Sequence, residues 1–237
     1  MTTRMYPDAK TWSPYKGCRW DCTYCRPTFQ ALSKRFAGAC GACARYEPHE
    51  HPERLDPRRI PNAAIVFVAG NADLCFATAG YRARIIDAIK AANIRHPERT
   101  YYLQSKKPVC FQSHVRTLPD NVILVTTLET NGHTGYAQIS KAPTPEVRWR
   151  QFRELDYPRK VITIEPMLAF DPGQFATMIA DCAPEYVWLG YNSRPRQAPL
   201  PEPTETDVRK LVALLIDVGI RVRGKDLRGL TIDGVEQ

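Results

Sequence analysis

Nowhere does the sequence hold the run of about 18 consecutive apolar residues that a membrane-spanning helix needs. Its opening, Met1-Thr-Thr-Arg-Met-Tyr-Pro, lacks the apolar stretch of a secretory signal, so a cytoplasmic location is the expectation. Cysteine is too sparse for a disulfide scaffold, with eight in 237 residues. Acidic residues are in deficit: 25 Asp and Glu stand against 33 Lys and Arg, for a formal net charge of +8. That excess favours a polyanionic partner such as DNA or RNA without identifying one. Ordinary solvated arginines with internal ion pairs would give the same count. A composition of 43% hydrophobic and 24% charged residues argues against general disorder and allows a sizeable core.

What is present is an alternation of short apolar runs and helical patterns. Strands are expected at Ala64–Ala69, Thr100–Leu103, Val122–Thr127, Val161–Ile164, Tyr186–Leu189 and Ile220–Val222, with a seventh near Thr11–Ser13. Most are near-continuous apolar runs, as in strands covered on both faces. Helices are expected at Tyr81–Asn93, Glu146–Leu155, Pro172–Cys182 and Thr206–Val218, the last capped by Thr204 or Thr206 and ended by Gly219. There is no repeat beyond this alternation. The strand-then-helix order predicts an α/β fold, a parallel sheet of about six or seven strands curled into a partial or near-complete barrel. One domain over residues 1–237 is expected, with a Cys/His-rich insertion at 37–62 that breaks the rhythm. In such a sheet the chemistry gathers at the C-terminal strand ends. Polar groups recur just there, in Gly70-Asn71-Ala72-Asp73, Gln104-Ser105-Lys106-Lys107, Thr127-Leu128-Glu129, Glu165-Pro166, Gly190-Tyr191-Asn192 and Gly224-Lys225-Asp226.

Five of the eight cysteines fall within residues 18–43. Without an export signal, such clustering reads as metal or cluster ligation. Cys18, Cys22 and Cys25 have Cys-x3-Cys-x2-Cys spacing, and three thiolates this close can cap three irons of a cubane. The fourth iron is then open to a substrate or cofactor. Gly17 is expected to let the backbone pass close to the cluster, and Lys16 and Arg19 to offset its charge.

This segment resembles the signature of the radical S-adenosylmethionine superfamily, with the aromatic Tyr24 immediately before the third cysteine. The resemblance implies a [4Fe–4S] cluster whose open iron is chelated by the methionyl group of S-adenosyl-L-methionine, with Tyr24 beside the adenine. It also implies an external one-electron donor and a 5′-deoxyadenosyl radical that abstracts a substrate hydrogen. A finer resemblance is to the phage-type Gp37/Gp68 family. It rests on Trp12 to Cys18, Asn71-Ala72-Asp73-Leu74, Lys107-Pro108 and Ile164-Glu165-Pro166-Met167-Leu168. Family members often carry Gly-Gly-Glu after strand six, where this chain has Gly190-Tyr191-Asn192.

A methionyl head group needs acceptors for its amine and donors for its carboxylate. Gly70, Asn71 and Asp73 are candidates for the first, Lys106, Lys107 and Lys225 for the second. Glu129, supplemented by Thr127, is expected to accept ribose hydroxyls. Glu165, aimed by Pro166, is a candidate for cofactor or substrate, and Asn192 for either. The structural alternatives are an Asx turn for Asp73, a rim salt bridge for Lys225 and a buried carboxylate neutralised by arginine for Glu165. A second site is Cys40-x2-Cys43 followed by His49 and His51, a donor set that suits zinc. Its alternatives are an auxiliary Fe–S cluster completed by Cys75, or free thiols. Function is therefore expected to be radical S-adenosylmethionine catalysis, with nucleic acid or a small metabolite as substrate. The alternative is a non-catalytic Fe–S or zinc protein that binds nucleic acid.

Overall fold

The computed structural model describes residues 8–132 and 134–236. Ten strands occur among them: β1 (Lys10–Trp12), β2 (Tyr15–Lys16), β3 (His49–Glu50), β4 (Ile65–Val68), β5 (Thr100–Gln104), β6 (Val122–Thr127), β7 (Lys160–Ile164), β8 (Tyr186–Leu189), β9 (Arg221–Gly224) and β10 (Val235–Glu236). Eight form one sheet in the order β1-β4-β5-β6-β7-β8-β9-β10, every neighbouring pair parallel. Its two end strands do not pair with each other among the described residues, so the barrel is partial. Expectation fell one strand short, because β10 is two residues long and carries no periodic signal.

Alternation along each strand separates two environments. Val66, Val68, Leu103, Leu124, Ile162, Ile164, Val187, Leu189 and Val222 point outward into a core shared with the helices Ala79–Asn93, Pro145–Arg153, Pro172–Ala180 and Glu205–Asp217. Tyr102, Ile123, Val125, Val161, Tyr186 and Trp188 point inward and pack together, with Ile65 and Phe67 against them. Both faces are covered, which is why the strands read as unbroken apolar runs. One step further along, the inward positions turn polar: Gln104, Thr127, Thr163 and Glu165 line a cavity at the strands' C-terminal ends.

Each of the four long helices opens on a side-chain cap. Thr78 accepts from the amide of Tyr81, Thr144 from Val147, Asp171 from Gln174 and Thr204 from Asp207. Thr204, not Thr206, is thus the start of the last helix. Pro at the first position of the second and third helices costs nothing there, since that amide has no intrahelical acceptor.

The Cys/His-rich segment is not held by local interactions alone. β3 pairs antiparallel with β2, Lys16 opposite His49 and Tyr15 opposite Glu50. His51 N–H donates to Pro14 O at 2.7 Å and Cys18 N–H to Tyr46 O at 3.2 Å. The segment is stitched to the chain on both sides of Gly17.

Candidate active site

The cysteine loop leaves β2 through Gly17, whose φ of +85° lies in the left-handed region. A Cβ there would stand 2.0 Å from the carbonyl oxygen of Glu47. Glycine is required by this backbone crossing rather than by a cluster. On its other side the loop bridges to Ala72, so residues 70–73 run beside it. Asp21, at φ 47°, turns the chain between Cys18 and Cys22, and its carboxylate pairs with Arg26 at 3.0 Å and Lys141 at 3.2 Å.

Cys18, Cys22 and Cys25 all face a cavity of about 950 Å³ at the barrel mouth. Gly70, Asn71, Asp73, Lys106, Thr127, Glu165, Asn192 and Lys225 line the same cavity, as does Tyr24. Eight residues separated by up to 207 positions are thereby brought to the thiols, as the strand-end reading required.

Several of these side chains are already committed to partners. Asp73 is buried, and its carboxylate accepts from Trp20 Nε1–H at 2.7 Å, Ser105 O–H at 2.6 Å, Lys106 N–H at 2.8 Å and Cys75 N–H at 3.0 Å. Four donors fill its acceptor sites, so it fastens the cysteine loop to the ends of β4 and β5 instead of meeting an amine. It includes the Asx-type contact to Cys75, but reaches far beyond a local turn. Thr127 accepts from Gln104 Nε2–H at 2.9 Å and from Thr163 O–H at 3.0 Å, forming the cavity floor. Asn192 accepts from Arg194 N–H and donates to Ala198 O, which shapes the proline-rich loop. Glu165 precedes a cis proline and forms an ion pair with Lys225, each side chain 18% exposed. Gly190 makes room for it: a Cβ there would lie 3.1 Å from Glu165 Cγ.

Glu129 departs furthest from expectation. It is fully buried and does not line the cavity. Its carboxylate accepts from Arg148 at 2.5 Å, Lys106 at 2.7 Å, Tyr24 O–H at 2.6 Å and Tyr136 O–H at 3.2 Å. Its carboxylate meets these four donors away from the cavity and presents no free acceptor there to ribose hydroxyls. Burial alone would raise the Glu129 pKa, yet Arg148 and Lys106 hold it well below the carboxylate range. Burial likewise opposes the charge on Lys106, and Glu129, with the Cys22 sulfur when ionised, restores it, raising its pKa.

Two cations and one carboxylate leave this buried group with a net positive charge, and Lys106 Nζ presents it 3.4 Å from Cys22 Sγ. Ser140 Oγ lies 3.1 Å from the same sulfur. A hydrogen bond from Cys25, working against burial and aided by Lys106 and Ser140, lowers the Cys22 pKa. Cys18 and Cys25 are pushed the other way, Cys18 by burial and nearby Asp73, Cys25 by its bond to Cys22 and by burial. Three thiols on one cavity wall with an ammonium against the middle one are a donor set suited to a metal centre. Lys16 and Arg19 were expected to supply the offsetting charge. Lys106 is the cation at the sulfur, whereas Lys16 Nζ sits 3.7 Å over the Phe36 ring.

Arg148, Tyr136, Ser140 and Trp20 escaped the sequence reading. Arg148 had a signal: it shares a helix stripe with buried Phe152, four residues on, and a cation on an apolar face demands a buried anion.

The second cysteine group gathers as well. The ligand atoms of Cys40, Cys43, His49 and His51 lie within 4.8 Å of one another and could hold a metal ion. They group together, not with Cys18, Cys22 and Cys25.

No family model and no curated protein sequence matches the chain. Its fold is similar to that of a radical SAM methyltransferase from Sphaerobacter thermophilus, with a TM-score of 0.56 and 15% identity over 94% of this chain and 68% of that one. At that identity the likeness is one of fold. No helix among the described residues is long and apolar enough to cross a membrane.

Proposed function

We propose that this chain is a radical S-adenosylmethionine enzyme, with Cys18, Cys22 and Cys25 holding three irons of a [4Fe–4S] cluster. One observation carries the reading: three thiols face a strand-end cavity of about 950 Å³, with a buried, positively charged group against the middle one. When bound, the cluster and S-adenosylmethionine supply an electron and a sulfonium whose reductive cleavage gives a 5′-deoxyadenosyl radical for hydrogen abstraction. An external one-electron donor is required.

The chain's own groups set the conditions. Lys106 offsets thiolate charge at Cys22, and Glu129 and Arg148 hold Lys106 in place. Trp20, Tyr24 and Tyr46 line the cavity and limit water near the sulfurs. Glu165 and Lys225 offer an acceptor and a donor at the mouth, a pair matched to hydroxyls and to a carboxylate. With Glu129 occupied, Glu165 is the carboxylate left for the ribose, and Gly70 and Asn71 remain for the methionyl amine. The fold likeness to a radical SAM methyltransferase supports the class of chemistry. The finer likeness to the Gp37/Gp68 family rests on the motifs quoted above.

The alternative was a fully ligated, non-catalytic cluster. It needed Cys40 or Cys43 beside Cys18, but both converge on His49 and His51. That separation favours an open iron. The test is electron paramagnetic resonance of the reconstituted, reduced protein before and after S-adenosylmethionine. An open iron requires the signal to change on addition, and an unchanged signal rejects the reading.

A further inference from the structure

The geometry points to a zinc ion held by Cys40, Cys43, His49 and His51, acting as a clamp that fixes the path of the cysteine loop. Cys40 caps the short helix Gly41–Ala44, its sulfur accepting from Cys43 N–H at 3.4 Å. That places Cys43 Sγ beside the first. His49 and His51, two apart around β3, turn to the same side, their ring centroids 4.6 Å apart. His49 Nε2 lies 3.5 Å from Cys40 Sγ and 3.2 Å from Cys43 Sγ, and His51 Nε2 lies 3.3 Å from Cys43 Sγ. A tetrahedral ion with Zn–S near 2.3 Å and Zn–N near 2.0–2.1 Å separates sulfur from nitrogen by about 3.6 Å. The four donors stand close to that spacing around a common centre.

The surroundings fix which ring nitrogen faces inward. His49 Nδ1 donates to Glu47 O at 2.7 Å, and His51 Nδ1 donates to the Glu53 carboxylate at 2.8 Å. Both Nδ1 atoms meet acceptors only, so in the neutral rings the Nε2 lone pairs aim at the sulfurs. Orienting second contacts of this kind are typical of metal-bound histidines. Cys43 Sγ faces two such lone pairs with one proton to give, whereas a cation satisfies all four donors at once. Two sulfurs and two imidazoles in this arrangement suit zinc.

The clamp follows from what the ligands carry. His49 belongs to β3, which pairs with Tyr15 and Lys16; His51 N–H holds Pro14 O; and Tyr46, between the two ligand pairs, accepts from Cys18 N–H. The metal thus locks a segment that grips residues 14–18 from one side. Gly17 then passes against the Glu47 carbonyl, and Cys43 and Tyr46 form cavity wall. The zinc assignment stands apart from the proposed catalysis; the clamp concerns the loop's backbone.

The test uses the full chain, wild type and a Cys18→Ala/Cys22→Ala/Cys25→Ala variant, purified without added metal. Elemental analysis should find one zinc per chain in both, so a failure of the catalytic reading leaves this result standing. Cobalt exchanged into the variant should show the intense visible bands of a tetrahedral thiolate site. Removing zinc from either protein with a chelator should speed exchange of the backbone amides at position 18 and at His51 by about tenfold or more, with re-addition restoring protection. Iron in place of zinc, no bound metal, or an octahedral cobalt spectrum would overturn the zinc site. Bound zinc whose removal leaves exchange at Cys18 unchanged would overturn the clamp. Cys40→Ser and His51→Ala should each lose the zinc; should either fail to fold, the cobalt spectrum of the triple-alanine variant and the exchange measurements decide alone.

Discussion

Glu129 and Arg148 form an ion pair with neither side chain exposed, and Lys106 shares the carboxylate. Removing one partner of such a pair strands the others, so Glu129→Gln should destabilise the metal-free protein by about 3–5 kcal/mol in urea unfolding. Retention of wild-type stability would mean the group is solvated. Its pH dependence has a definite sign. The folded pKa of Glu129 is depressed, so its stabilisation is fully present above the ordinary glutamate value of about 4.3. That stabilisation is lost as pH falls below it, and the wild type should lose its margin over Glu129→Gln on acidification. Asp73 poses a milder case. In Asp73→Asn one oxygen becomes a donor facing donors, and the loss of charged hydrogen bonds should cost about 1.5–3 kcal/mol, read from the thermal midpoint. These roles were half legible. The strand-end position of Glu129 and Asp73 marked both as important, but Arg148 lies 19 residues from Glu129, Trp20 53 from Asp73 and Tyr24 105 from Glu129, and only closure of the barrel brings them together.

Among the elements, long ones with both faces buried were readable, and short ones were not. β4 to β8 and the four capped helices announce themselves by apolar runs, 3.6-residue spacing and Thr or Asp caps. β2, β3 and β10 have two residues each, too few for any period, and they exist because tertiary contacts impose them. The cysteine spacing was legible because ligation is local in sequence. The docking of the Cys/His segment on that loop was not, since it depends on backbone passing backbone at Gly17. That crossing supplies a prediction: Gly17→Ala puts a methyl 2.0 Å from the Glu47 carbonyl at a φ disfavoured for alanine. Strain of about 1–3 kcal/mol should loosen the loop, lowering the thermal midpoint and the iron retained after reconstitution. Full iron content in Gly17→Ala would show that the crossing does not govern the loop.

Across the whole molecule, a +8 charge converging on the rim would do so through Lys106, Lys107, Arg194, Arg196, Lys225 and Arg228. Three of these cations are paired instead, Lys106 with Glu129, Lys225 with Glu165 and Arg228 with Glu202. Lys107, Arg194 and Arg196 are exposed, with no ion pair among the described residues. A single-stranded nucleic acid remains the polyanion to test. Oligonucleotide binding should weaken with salt, and Arg194→Ala with Arg196→Ala should shallow the log–log slope by about 0.7 for each phosphate no longer neutralised. Binding indifferent to both arginines would place any polyanion elsewhere.

The most direct measurement for the account is the release of 5′-deoxyadenosine from S-adenosylmethionine by the anaerobically reconstituted, dithionite-reduced protein. Cys18, Cys22 and Cys25 facing one cavity predict release above the protein-free background, and none from Cys22→Ala. No release from protein that carries about four irons per chain and reduces normally would contradict the account at its centre.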